Sequence, residues 1–275
     1  MRILCQGLSD ASNQGDFLMP DLEDTYRKRS DVERTYRSSL VNDLLKYRVV
    51  VGETDLWILS QHDLKLEIEG HLKFYRRQLK GYIDSHPGFR EALTPWPEDN
   101  QAPVVIQLMI RAANLAGVGP MAAVAGTIAA MVGREIDSDS NSELIIENGG
   151  DIYLRSSNDI VIGVFAGLNS PFSYKIGVLI PPQPKGIGIC TSSGTMGPSL
   201  SFGKADAVMT IASDPALADA AATAGANRVQ KSSDLPGTID FLKGIPGIRG
   251  ALIIKEQKIA IWGEIELTPI NASNQ

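Results

Sequence analysis

Near residue 140 the chain changes texture, and that change governs which folds are open to it. Ahead of it, apolar residues recur at helical intervals. Leu64, Ile68, Leu72, Tyr75, Leu79 and Ile83 are three or four apart, which predicts one long amphipathic helix. Residues 104–115 predict a second helix and 121–132 a third, with Pro120 in its first turn. Beyond Glu143, short β-branched runs follow one another at 144–146, 152–154, 160–162, 176–179, 187–189 and 207–211. A helix is expected from Pro215 to about Val229, capped by Ser213 or Asp214, and a short one at 238–242. Two hairpins are expected, one joining 47–51 to 56–59 and one joining 252–254 to 259–261. Helices mostly first and strands mostly later predict an α+β fold with a mostly antiparallel sheet in the second half. A doubly wound parallel sheet would alternate them instead.

The chain has 275 residues, 43% of them hydrophobic and 21% charged, enough to bury a core without disulfides or metal. Residues 1–43 read as a polar tail and a charged helix, and 44–275 as one domain. Cys5 and Cys190 are too few for a disulfide framework or a zinc cage. Lys plus Arg number 26 and Asp plus Glu 32, a net charge of −6. That excludes non-specific binding to nucleic acid or to an anionic membrane surface. After Ile3 and Leu4 the start turns polar, so no export signal is expected and the cytoplasm is the expected location. The uncharged stretch 112–133 is rich in Ala and Gly and broken by Pro120, which suits packed helices better than a membrane span.

Four segments carry candidate chemistry. Glu147-Asn148-Gly149-Gly150-Asp151 lies between two strands, where paired glycines let a ligand approach the backbone. The same residues also make an ordinary hairpin turn. Thr191, Ser192, Ser193, Gly194 and Thr195 form a hydroxyl-rich and glycine-rich loop suited to a phosphate, though it lacks the P-loop ending. Asp219 and Thr223 are four apart, sharing a helix face at roughly 5–6 Å between Cβ atoms. A carboxylate and a hydroxyl so placed can both reach one Mg²⁺, though from spacing alone a small-residue packing face is the favoured reading. Gly117-Val118-Gly119-Pro120-Met121-Ala122 fits a loose dinucleotide pattern, but a helix rather than a strand precedes it.

In order, these segments resemble the ApbE family of magnesium-dependent flavin transferases, which attach the FMN half of FAD to a threonine or serine of a protein. The resemblance is closest to a cytoplasmic branch of ApbE-like proteins. It is carried by Glu-Thr-Asp-Leu at 53–56, Val-Gly-Pro-Met-Ala-Ala-Val-Ala-Gly at 118–126, Glu-Asn-Gly-Gly-Asp-Ile at 147–152 and Ser-Phe-Gly-Lys-Ala-Asp-Ala at 201–207. It implies an ApbE-like fold, Mg²⁺ on Asp219 and Thr223, and FAD or another nucleotide near Asn148, Gly149, Gly150 and the 191–195 loop. It also implies a protein acceptor, with a homo-oligomeric state left open.

Three departures stand out. Ala125 takes the place of a family lysine, and Glu147 that of an asparagine. Residues 198–202, Pro-Ser-Leu-Ser-Phe, stand where the family's His-Ile-x-Asp-Pro motif falls. Asp151 or Asp206 is then the expected replacement base, with Lys204 as an electrostatic aid. The alternative is a ligand-binding or scaffold protein that has lost transfer.

Overall fold

The computed structural model describes residues 44–136, 139–194 and 202–270. The tail and charged helix expected over 1–43, and Thr195, lie outside them. Strands β1 (Leu45–Val51) and β2 (Thr54–Ser60) form the first hairpin, turning at Gly52 with φ +58°. Helices α1 (Lys65–Ser85), α2 (Val104–Ala116) and α3 (Val124–Glu135) follow. Then come β3 (Leu144–Asn148), β4 (Asp151–Ser156), β5 (Ile160–Gly163), β6 (Ile176–Ile180), β7 (Gln183–Ser192) and β8 (Ala207–Ala212). Helices α4 (Pro215–Arg228) and α5 (Leu235–Lys243) and strands β9 (Ile248–Lys255), β10 (Lys258–Gly263) and β11 (Glu266–Pro269) close the order.

An eight-stranded sheet runs β1-β2-β3-β4-β7-β8-β9-β10, and a three-stranded sheet runs β11-β6-β5. All the pairings are antiparallel. Two apolar clusters define three layers. One lies between the helices and the large sheet, and the other between the large and small sheets. Strand β8 shows the alternation. Ala207, Met209 and Ile211 enter the second cluster, while Val208 and Ala212 enter the first. With both faces covered, all six residues of β8 and all six of β4 are buried. The segregation of helices and antiparallel strands is the expected α+β fold.

Two elements differ from expectation. Residues 121–132 do not form one helix: a 3₁₀ turn, Pro120–Ala123, precedes α3. Gly117 ends α2 with φ +74°, and a Cβ at Gly119 would collide with the backbone of Ala92, so the entry to α3 is tight. Strand β11 was not expected, because four residues ending in Pro269 give no periodic signal. Gly117 caps a helix, so the loose dinucleotide pattern sits in no strand–turn–helix context. No single helix among the described residues is long and apolar enough to cross a membrane; α2 and the segment 120–135 together reach the length but bend by 104°. Tyr153 on β4 fastens the layers, since its ring occupies the space beside Gly133 of α3 and Gly186 of β7 where β-carbons would sit.

Candidate functional site

The β3–β4 hairpin turns at Gly149 and Gly150, with φ +67° and +109°. Asn148 faces Asp151 across it. Ile145 and Ile152 point to the small sheet and Ile146 and Tyr153 to the helices, so alternation turns Asn148 and Asp151 towards the helices. The Asn148 amide donates to the Ala125 carbonyl at 3.1 Å, tying the turn to the start of α3. A Cβ at Gly149 would meet nothing within 4 Å, so a ligand can approach this backbone. Glu147 falls on the opposite sheet face, where burial pushes its carboxyl up.

Helix α4 starts at Pro215, with Asp214 as its cap accepting from the Ala216 N–H at 3.3 Å. Its small side chains let it lie close against β7, β8 and α3; a Cβ at Gly126 would collide with the Pro215 carbonyl and with Asp219. The Thr210 hydroxyl donates to the Ala218 carbonyl at 2.6 Å, joining α4 to β8. Asp219, 7% exposed, accepts from the Gly126 N–H at 2.8 Å and also from the Ala125 N–H. Both N–H groups lie in the first turn of α3, where no intrahelical acceptor exists and negative charge is favoured. Asp219 therefore caps α3 from another element. Thr223 lies one turn further along α4, half-buried.

Asp151 is 8% exposed and opposite Cys190 on β7. Its Oδ1 is buried and without a hydrogen-bond partner. Burial, opposed by the α3 N–H groups, pushes the Asp219 carboxyl up to about 7. Burial and then the charge of Asp219 push Asp151 well above the usual carboxylate range. The Cys190 thiol is pushed up by burial and by both carboxylates. It is the opposite of an activated nucleophile. Two facing carboxylates in a desolvated space call for a proton or a cation.

The other expected residues divide. The N–H of Thr191 donates to Gly150 at 3.2 Å. The N–H of Gly194 and the hydroxyl of Ser193 both reach the Ala205 carbonyl, at 2.9 and 3.4 Å. The loop was expected to offer donors to a phosphate; of its described residues, 191–194, Gly194 lies against the backbone of Gly203 and Lys204, and the three donors named here bond to Gly150 and Ala205. Ser192 pairs with Val208 at the end of β7. Asp206, the other expected base, lies outside the junction. It pairs with Lys255 at 3.5 Å and accepts from the Glu256 N–H at the β9–β10 turn. It immediately precedes β8, four residues before Thr210, roughly 13 Å at strand spacing. The turn, the start of α3 and Asp219 thus come together, and Asp206 stands apart. Cys190 and Gly126 were not expected in this junction. Gly126 had two signals, its place in the uncharged small-residue stretch 112–133 and at the end of the 118–126 motif. Among the described residues no three His, Cys, Asp or Glu side chains could hold a metal ion by themselves.

This geometry defines an α+β protein with an acidic junction under a glycine turn. Residues 37–237 match the family model described as AbpE bacteria. The UPF0280 protein of Methanosarcina barkeri is 40% identical over 195 residues, covering 70% of this chain and 76% of the relative. That of Methanocella arvoryzae is 43% identical over 190 residues, covering 69% and 77%. The chain belongs to the AbpE bacteria family and is a relative of these UPF0280 proteins. Among solved structures, the flavin transferase ApbE from Vibrio cholerae aligns with a TM-score of 0.49 at 12% identity, covering 83% of this chain and 97% of that one. The apo flavinyl transferase ApbE of Pseudomonas stutzeri aligns with 0.48 at 11%, covering 80% and 94%.

Proposed function

We propose that this protein binds a nucleotide, FAD in the first instance, together with Mg²⁺ at the junction of the β3–β4 turn, α3 and α4, and transfers a flavin or nucleotidyl group to a protein acceptor with altered catalytic residues. The observation that carries this reading is Asp219, a desolvated carboxylate beside a buried, partnerless Asp151 oxygen and below an open Gly-Gly turn. The donor set fits Mg²⁺, which takes hard oxygen ligands and completes its shell from water and phosphate. Asp219 and Thr223 would hold the ion, and when bound it would neutralise phosphate charge. Asn148 fixes the turn against α3, and Gly149 leaves its backbone open to the ligand.

One observation favours a second reading, a nucleotide-binding protein without turnover. Asp206 is committed to Lys255, and Asp151 lies buried below the turn, so neither expected base stands open to an incoming group. Melting temperature measured with FAD, Mg²⁺ and both together tests binding. A rise with both that Asp219→Ala abolishes is expected, about 2.7 kcal/mol of stabilisation at a hundredfold excess over Kd. No response to FAD would sink both readings. Mass spectrometry of a threonine-bearing acceptor then separates them: FMN addition with AMP release supports transfer, and unmodified acceptor supports binding alone.

A further inference from the structure

We infer that Asp151 is itself a cation ligand, so that its Oδ1 and the Asp219 carboxylate together form a divalent-cation site at the base of the junction. The inference rests on the Mg²⁺ reading above and adds to it a residue from a different element. Asp219 spends Oδ2 on the first turn of α3. Asp151 has an Oδ1 that is buried and meets no donor. An ionised oxygen in that state costs several kcal/mol unless something positive reaches it. The groups around it do not supply that charge. The Cys190 thiol and the Thr191 N–H hydrogen-bond the Asp151 carboxyl away from Oδ1 and neither carries charge, Asp219 brings a second carboxylate, and Asn148 directs its amide N–H at Ala125.

Position explains how two distant carboxylates come to share one place. Asp151 opens β4 directly after the Gly-Gly turn, and Asp219 sits one turn into α4. Gly126 lets α3 and α4 close until Asp219 reaches the α3 backbone, and the Asn148 amide holds the turn to the same α3 residues. Two elements, β4 and α4, therefore deliver the oxygens, and α3 holds both in place. Too few acidic or imidazole groups converge for a closed cage, so the remaining positions fall to hydroxyl, carbonyl, water or phosphate oxygen.

Binding of Mn²⁺ to the full chain without nucleotide, followed by electron paramagnetic resonance and competed with Mg²⁺, tests this. Asp151→Asn keeps the shape and removes the charge. Its expected result is a Kd for Mn²⁺ weakened by about tenfold or more, because ligand charge sets affinity in such sites. Asp206→Asn, outside the junction, is expected to leave the Kd unchanged. In chelator, Asp151→Asn is expected to melt no lower than the wild-type chain, since a carboxylate repulsion has gone. A lower melting temperature in chelator overturns the inference, as does Mn²⁺ binding that ignores Asp151. Mn²⁺ binding that needs Asp219 and Thr223 but not Asp151 would overturn it while leaving the nucleotide reading intact. Asp151-dependent Mn²⁺ binding with no response to FAD would do the reverse.

Discussion

Asp219 does two things at once. It caps α3, which stabilises the helix start, and it brings negative charge into a desolvated space. The second effect makes stability depend on pH. Its carboxyl sits near 7 when folded against an ordinary value of 3.8, so between these the folded chain holds more protons than the unfolded one. Its contribution is fully present at low pH and is lost as pH rises towards and through 7. Cation-free protein is therefore expected to show a melting temperature that falls from pH 5 to pH 8, and Asp219→Asn is expected to flatten that slope. A scanning-fluorimetry series in chelator would measure it. A rising wild-type slope in that window would contradict the assignment.

Helix α3 is held at both ends by other elements. Asp219 takes the N–H groups of its first turn, while Arg155, 5% exposed, donates to the Gly133, Ile136 and Asn141 carbonyls at and beyond its last turn. Arg155→Met keeps the volume and strands those carbonyls. A loss of about 2–3 kcal/mol is expected, from charged hydrogen bonds of about 1.5–3 kcal/mol offset by the cost of burying the charge. Urea unfolding with an unchanged m value would confirm it, and wild-type stability would refute it. The ends of α3 also show what local sequence encodes. The β runs and the Leu64–Ile83 stripe were legible because periodicity is written within a window of a few residues. The turn at Gly149 and Gly150 and the pair on α4 were legible for the same reason. The pairing of Asp206 was not legible because its partner, Lys255, arrives from β9. The bonds that residues 191–194 make to Ala205 and Gly150 were not legible, because both acceptors come from other segments. Neither contact leaves a trace in spacing.

In the whole molecule, the large sheet is covered by helices on one side and the small sheet on the other. Strands β4 and β8 lie in that doubly covered region, whereas β1 and β10 are its outermost strands. Hydrogen exchange is therefore expected to be slowest in β4, β7 and β8 and faster in β1 and β10, because opening the centre exposes two cores together. Equal protection from edge to centre would contradict the layering. Tyr153 ties this architecture to two glycines. Its ring exists only in the room left by hydrogen atoms at positions 133 and 186, one in a helix and one in a strand. A mutation that enlarges either glycine must wait for the aromatic to shrink, and a smaller residue at 153 opens a hole that neither neighbour alone can fill. The three positions are thus sterically coupled, and a single ring sets how closely the helical layer and the sheet can meet.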